Sequence, residues 1–242
     1  MGQLDGKTAV VTGGGSGIGL AVAECYAAEG AHVVIAGRNK ERLDEAVSQI
    51  QHGAVGVVTD VADEQQVRAL FEDLEQVDIL ATFAGSATFG PIDEFAPSGW
   101  RDYFGSRFFG QVYCCHCAVP KMREGGVILL CSGIAADAHV SNYPAGSAIC
   151  GAVNGMGKSL AVDLAPRGIR VNVLSPGCIF GTAIVTNLDN DAVVEFVDAA
   201  LASTPLGRPG EPSHLADAAM FLTTNDFVNG HILHVDGGWT AT

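Results

Sequence analysis

The chain has 242 residues, 48% of them hydrophobic and 17% charged, enough apolar content for one domain with a real core and too much for a disordered polymer. Its formal net charge of −14 argues against nucleic acid as a partner, because phosphate backbones need basic surface. No apolar run is long enough to span a bilayer, and no basic-then-apolar leader opens the chain, so neither membrane nor secretion is expected. Seven cysteines in a chain of this size read as free thiols in a reducing cytoplasm, with no disulfide framework.

Strand and helix alternate along the whole length. Residues 8–11 are expected as a buried strand and 20–28 as a helix, followed by a strand at 31–36, a polar-faced helix at 39–50 and a strand at 55–58. A helix is expected at 63–74, a strand at 78–82, one long helix at 99–122, and a strand at 127–130. A helix over 146–164, a strand at 171–174, a mixed loop and helix over 181–207, a helix at 211–222 and a strand at 232–235 complete the chain. This order predicts an α/β fold: a doubly wound parallel sheet of Rossmann type in three α/β/α layers, as a single domain over 1–242. Residues 181–207 are expected to close over a substrate as a lid.

Between the first strand and helix stands Thr12-Gly13-Gly14-Gly15-Ser16-Gly17-Ile18-Gly19. Glycines there permit a tight reversal, a close approach of backbone N–H groups to phosphate, and close packing of helix on strand. The helix dipole adds its positive end, so Gly13, Gly15, Ser16, Gly17, Ile18 and Gly19 are candidates for holding a dinucleotide pyrophosphate. The second strand runs into Gly37-Arg38-Asn39. A carboxylate usual for ribose-hydroxyl recognition is missing there, and Arg38 can pair with a 2′-phosphate. With Asn39 beside it, this favours NADP(H) as cofactor over NAD(H).

On these residues the whole chain resembles the short-chain dehydrogenase/reductase family. Thr12-Gly13 with Gly17-Ile18-Gly19 is similar to that family's glycine motif, and Asp60-Val61 to the pair that contacts adenine. Ala84-Gly85 resembles the end of the motif after the fourth strand, although Thr82 and Phe83 replace its asparagines. Pro176-Gly177 with Ile179, followed by Thr182, resembles the segment that holds the nicotinamide amide, and Pro205 to Arg208, Glu211-Pro212 and Val235 to Gly238 are also family-like. The resemblance implies a Rossmann fold, a small-molecule substrate, and a homotetramer or homodimer.

It also implies a catalytic Asn, Ser, Tyr and Lys, working by general acid–base chemistry. Ser132 matches the serine. Arg107 stands at the asparagine position. Counted back through the helix that ends at Leu164-Ala165-Pro166, the tyrosine position falls on Gly146 and the lysine position on Cys150. Tyr143 lies about one turn earlier, and its side chain could enter the space that Gly146 leaves. Arg107 could bind an anionic substrate or polarise a carbonyl, or could be a structural ion pair. Cys150 could be a thiolate or a small space-filler, and His139 an acid or a solvated loop residue. Cys114, Cys115, His116 and Cys117 cannot all face one metal from a single helix, so no metal site is expected.

Ser132, Tyr143 and Arg107 are therefore the candidate catalytic residues. The leading expectation is an NADP(H)-dependent oxidoreductase with an atypical proton donor, acting on a small ketone, quinone or activated alkene. The alternatives are a cofactor-binding protein without catalysis, serving as sensor or oligomer partner, and non-redox chemistry on the same scaffold.

Overall fold

Seven strands form one sheet in the order β3-β2-β1-β4-β5-β6-β7, with every pairing parallel. The strands are β1 (Thr8–Thr12), β2 (His32–Gly37), β3 (Val55–Val58), β4 (Ile79–Thr82), β5 (Val127–Cys131), β6 (Arg170–Pro176) and β7 (Ile232–Val235). The architecture comes from a computed structural model, which describes residues 2–50, 53–182 and 191–242. Central strands are apolar on both faces because helices cover both sides, the arrangement parallel sheets require. Val10, Leu80, Ile128 and Leu130 point into one core, while Ala9, Val11, Ile79, Ala81 and Leu129 point into the other.

The helices are α1 (Gly17–Ala28), α2 (Lys40–Gln49), α3 (Glu64–Glu72), α4 (Pro97–Phe104), α5 (Gly110–Ala118), α6 (Pro144–Leu164), α7 (Asp191–Ser203) and α8 (Pro212–Thr224). Helices α1, α2 and α8 supply one core through Val22, Leu43 and Leu215, and α3, α5 and α6 the other through Phe71, Cys115 and Val153. Their starts follow local chemistry. Asn39 caps α2 by accepting from the Arg42 N–H at 2.7 Å, and Asp63 caps α3 by accepting from the Gln65 N–H at 2.9 Å. Proline occupies the first position of α6 and of α8, where no N–H is needed.

The expected long helix over 99–122 is not continuous. α4 passes into a π-helical turn, Gly105–Phe109, and then into α5, with a 3₁₀ turn at Val119–Lys121. The Gly110 N–H donates to the Gly105 carbonyl, one residue beyond α-helical reach. One extra residue per turn is invisible to apolar periodicity, and π-bulges concentrate at functional sites. Helix α6 also begins earlier than residue 146, at Pro144. Of the expected lid, residues 183–190 lie outside the described residues; α7 follows them.

The strand order reverses between β1 and β4. Crossovers leave opposite ways there, which opens a crevice at the carboxyl ends of the strands, the usual ligand position in such sheets.

Candidate active site

The crevice begins at the turn after β1. Gly13 and Gly17 have φ of 72° and 56°, the left-handed region that favours glycine. A Cβ on Gly13 would lie 2.7 Å from the Phe83 carbonyl carbon and the Ala84 nitrogen, and one on Gly19 would overlap the Gly13 carbonyl. Thr12 ties this turn to the next strand by accepting from the Ala84 N–H at 3.3 Å. Ser16 precedes α1 in extended conformation and makes no side-chain cap bond. The first N–H groups of α1 therefore lack a side-chain cap and open toward the crevice, which suits an anion. Gly13, Ser16, Gly17, Ile18 and Gly19 all line it; Gly15 does not, and faces Arg42 and Leu43.

Arg38, at the end of β2, is exposed and has no hydrogen bond or ion pair among the described residues. Asn39 is engaged as the cap of α2, so its side-chain oxygen is already used. Asp60 folds back on its own turn, accepting from the Ala62 N–H at 3.0 Å. Val61 is buried beneath α5, and a Cβ on Gly110 would lie 2.8 Å from its Cγ2.

Past β6 the far wall is Pro176, Gly177, Cys178, Ile179 and Thr182. The Gly177 N–H donates to the Val235 carbonyl at 3.1 Å, and a Cβ there would lie 2.7 Å from the Asp236 Cα. The Thr182 hydroxyl donates to the Ile179 carbonyl at 2.8 Å, curling this segment over the glycine turn.

Between these walls lie the candidate catalytic residues. Ser132 is buried at the end of β5 and donates to the Cys150 carbonyl at 3.2 Å. Tyr143 is buried just before α6, and its ring covers Gly146, where any Cβ would overlap the ring. Its hydroxyl is 2.6 Å from that of Tyr103, and its ring is 4.7 Å from Phe89, centroid to centroid. Burial drives the Tyr143 phenol well above its ordinary range; the nearby Arg107 charge pulls it down, and Tyr103 pushes it up.

Arg107 reaches the crevice from the π-turn. Its stem lies on Gly85, whose φ of 149° and missing side chain make room for it, and Nη2 donates to the Ser132 carbonyl at 3.3 Å. Its guanidinium also approaches the Cys150 thiol. Burial raises the Cys150 pKa, against which Arg107 and Ser132 pull. Helix α6 carries one lysine, Lys158, exposed away from the crevice, so no ammonium reaches the site from that helix. His139 is exposed outside the walls.

Sequence reasoning missed Tyr103, Phe89 and Gln111. Tyr103 stands four residues before Arg107, a spacing that places two residues of one helix face together, so that signal was available. Gln111 is a buried knot beneath the site. It accepts from the Thr82 hydroxyl at 2.7 Å and the Cys131 N–H at 3.2 Å, and donates to the Arg107 carbonyl at 2.8 Å and the Cys131 carbonyl at 2.9 Å. It therefore holds the π-turn against β4 and β5.

Residues 13–240 match the family model described as enoyl-(acyl carrier protein) reductase. Gluconate 5-dehydrogenase of Gluconobacter oxydans is 36% identical over 254 residues, spanning 99% of this chain and 97% of that protein. Meso-2,3-butanediol dehydrogenase of Serratia marcescens is 33% identical over 251 residues, at 99% and 97% coverage. The crystal structure of a dehydrogenase/reductase from Sinorhizobium meliloti 1021 superposes with a TM-score of 0.90 at 32% identity, covering 98% of this chain and 96% of that one. With the fold, the glycine turn and these likenesses together, the chain belongs to the short-chain dehydrogenase/reductase family of nicotinamide-dependent oxidoreductases.

Proposed function

We propose that this protein is an NADP(H)-dependent oxidoreductase with an atypical proton-donor site, acting on a small ketone, quinone or activated alkene. One observation carries the reading: a single crevice is lined both by the glycine turn of α1 and by Ser132, Tyr143 and Arg107. The uncapped start of α1 and the close approach at Gly13 suit a pyrophosphate. The exposed, unpaired Arg38 suits a 2′-phosphate, which a guanidinium binds bidentately. Asp60 and Val61 would border the adenine, with Ala84 and Gly85 beside the ribose and Pro176, Gly177, Ile179 and Thr182 at the nicotinamide. A bound nicotinamide nucleotide supplies or accepts the hydride.

The chain's own part is the proton. The Tyr143 phenol is the proton donor; its burial opposes release of the proton, and the Arg107 charge pulls the other way. As that proton leaves for a substrate oxygen, the Tyr103 hydroxyl at 2.6 Å can turn to donate to the phenolate. The Arg107 charge stabilises the same anion. The Ser132 hydroxyl donates to the Cys150 carbonyl, so it would give a proton to a substrate only after rotating away. The match to an enoyl reductase model and the relatives named as dehydrogenases support a substrate drawn from conjugated alkenes or carbonyl compounds. A homodimer or homotetramer, as is common in the family, and a cytoplasmic location complete the proposal; no helix among the described residues is long and apolar enough to cross a membrane.

The test titrates NADPH and NADH by fluorescence, then follows absorbance of the reduced cofactor across a panel of ketones, quinones and enones. Tighter NADPH binding and consumption with at least one panel member are expected. Tighter NADH binding would overturn the cofactor assignment, and binding without consumption would favour a non-catalytic protein.

A further inference from the structure

Among the described residues that line the crevice, Arg107 alone carries a charge. The same crevice carries an apolar set, Ala87, Phe89, Ile134, Val140 and Cys178. Among the described residues no carboxylate lies within 4.0 Å of its guanidinium, in a chain whose acidic residues outnumber basic ones by 14. Of its five N–H donors, one bonds the Ser132 carbonyl at 3.3 Å and another faces the Cys150 sulfur, a weak acceptor. A cation drawn into a crevice with no counter-ion among the described residues is unfavourable, and the fold nonetheless makes room for this one by leaving Gly85 bare beneath it.

We propose that Arg107 makes this crevice selective for small organic anions: the substrate carries one carboxylate on a compact apolar body. The guanidinium fork matches a carboxylate bidentately; a phosphate monoester would bring a second negative charge into a largely apolar crevice, a desolvation cost that it does not meet at the exposed Arg38. Phe89 and Val140 hold the apolar body. This inference rests on the proposed function only in taking the crevice as the substrate's place.

The probes are benzoate, its neutral isostere benzamide, and phenyl phosphate, titrated calorimetrically into the full chain with saturating NADPH to block the start of α1. Benzoate is expected to bind about tenfold or more tighter than benzamide, as a charge-assisted bond allows. Arg107→Met removes that preference, and Arg107→Lys retains part of it, which keeps the test decisive if the methionine variant fails to fold. Equal binding of benzoate and benzamide, a preference that survives in Arg107→Met, or tighter binding of phenyl phosphate would overturn the proposal. Consumption of NADPH with neutral ketones alongside equal benzoate and benzamide binding would sink this inference and leave the oxidoreductase reading intact. Selective benzoate binding without consumption of any panel substrate would do the reverse.

Discussion

Gly146→Ala adds one methyl group to a position that the ring of Tyr143 already fills. The new Cβ would lie 2.6 Å from Tyr143 Cδ1, and closer still to Cε1 and Cζ. The ring cannot swing aside freely, because it packs on Phe89 at 4.7 Å and its hydroxyl is bonded to Tyr103 at 2.6 Å. Overpacking a core by a methyl group costs about 1–3 kcal/mol. Displacing the phenol forfeits a buried hydrogen bond worth about 1 kcal/mol. Against this, replacing glycine by alanine in a helix gains up to about 1 kcal/mol. The net expectation is a loss of about 1–3 kcal/mol in the native background. In a Tyr143→Ala background the clash is gone, and the same change should stabilise by up to about 1 kcal/mol. The double-mutant cycle therefore carries a coupling of about 2–4 kcal/mol, with a change of sign between backgrounds. Urea unfolding of the four proteins reads it directly. A coupling within about 0.5 kcal/mol of zero, the range of independent sites, would refute the packing of Tyr143 on Gly146.

Arg38→Ala should weaken NADPH by about tenfold or more while barely changing NADH, since it removes a charge-assisted contact that only the 2′-phosphate makes; fluorescence titration checks this, and an equal loss for both cofactors would contradict it. Gln111→Leu strands the Arg107 carbonyl and the Cys131 backbone, and should cost about 2–3 kcal/mol in urea unfolding; a loss no greater than that of a surface substitution would contradict the knot. Stability should also fall in alkali. Burial pushes the thiols of Cys131 and Cys178 up to about 11 and that of Cys115 up to about 12, from an ordinary value of 9.0. Between pH 9 and those values the unfolded chain has lost protons that the folded one still holds, so stability declines as pH rises, by up to about 1.4 kcal/mol per pH unit for each thiol. Urea unfolding from pH 7 to 10.5 checks it: Cys115→Ala should flatten the decline, and a flat profile above pH 9 would contradict the burial of these thiols.

Much of the architecture was legible because its causes are local. Strands buried on both faces read as unbroken apolar runs, and the turn at Gly13 to Gly19 needs glycine for reasons that a sequence displays directly. Boundaries moved where local chemistry decides them: Pro144 starts α6 two residues before the expected residue 146. The π-turn at Gly105–Phe109 was not legible, because its extra residue is set by Gln111 and Gly110 packing against β4, β5 and Val61. The neighbourhood of Tyr143 was legible in part. An absent side chain at Gly146 signals that something else fills the space, but the Tyr103 hydroxyl, 40 positions away in the chain, is brought there only by the fold.

The central claim is that Tyr143, steadied by Tyr103 and Arg107, serves as the proton donor of this site. Turnover of Tyr143→Phe on a substrate identified from the panel tests it most directly. A drop in kcat of about 10²–10⁴-fold, with NADPH affinity unchanged, is the outcome expected for loss of a general acid. A variant that turns over at the native rate would contradict the claim.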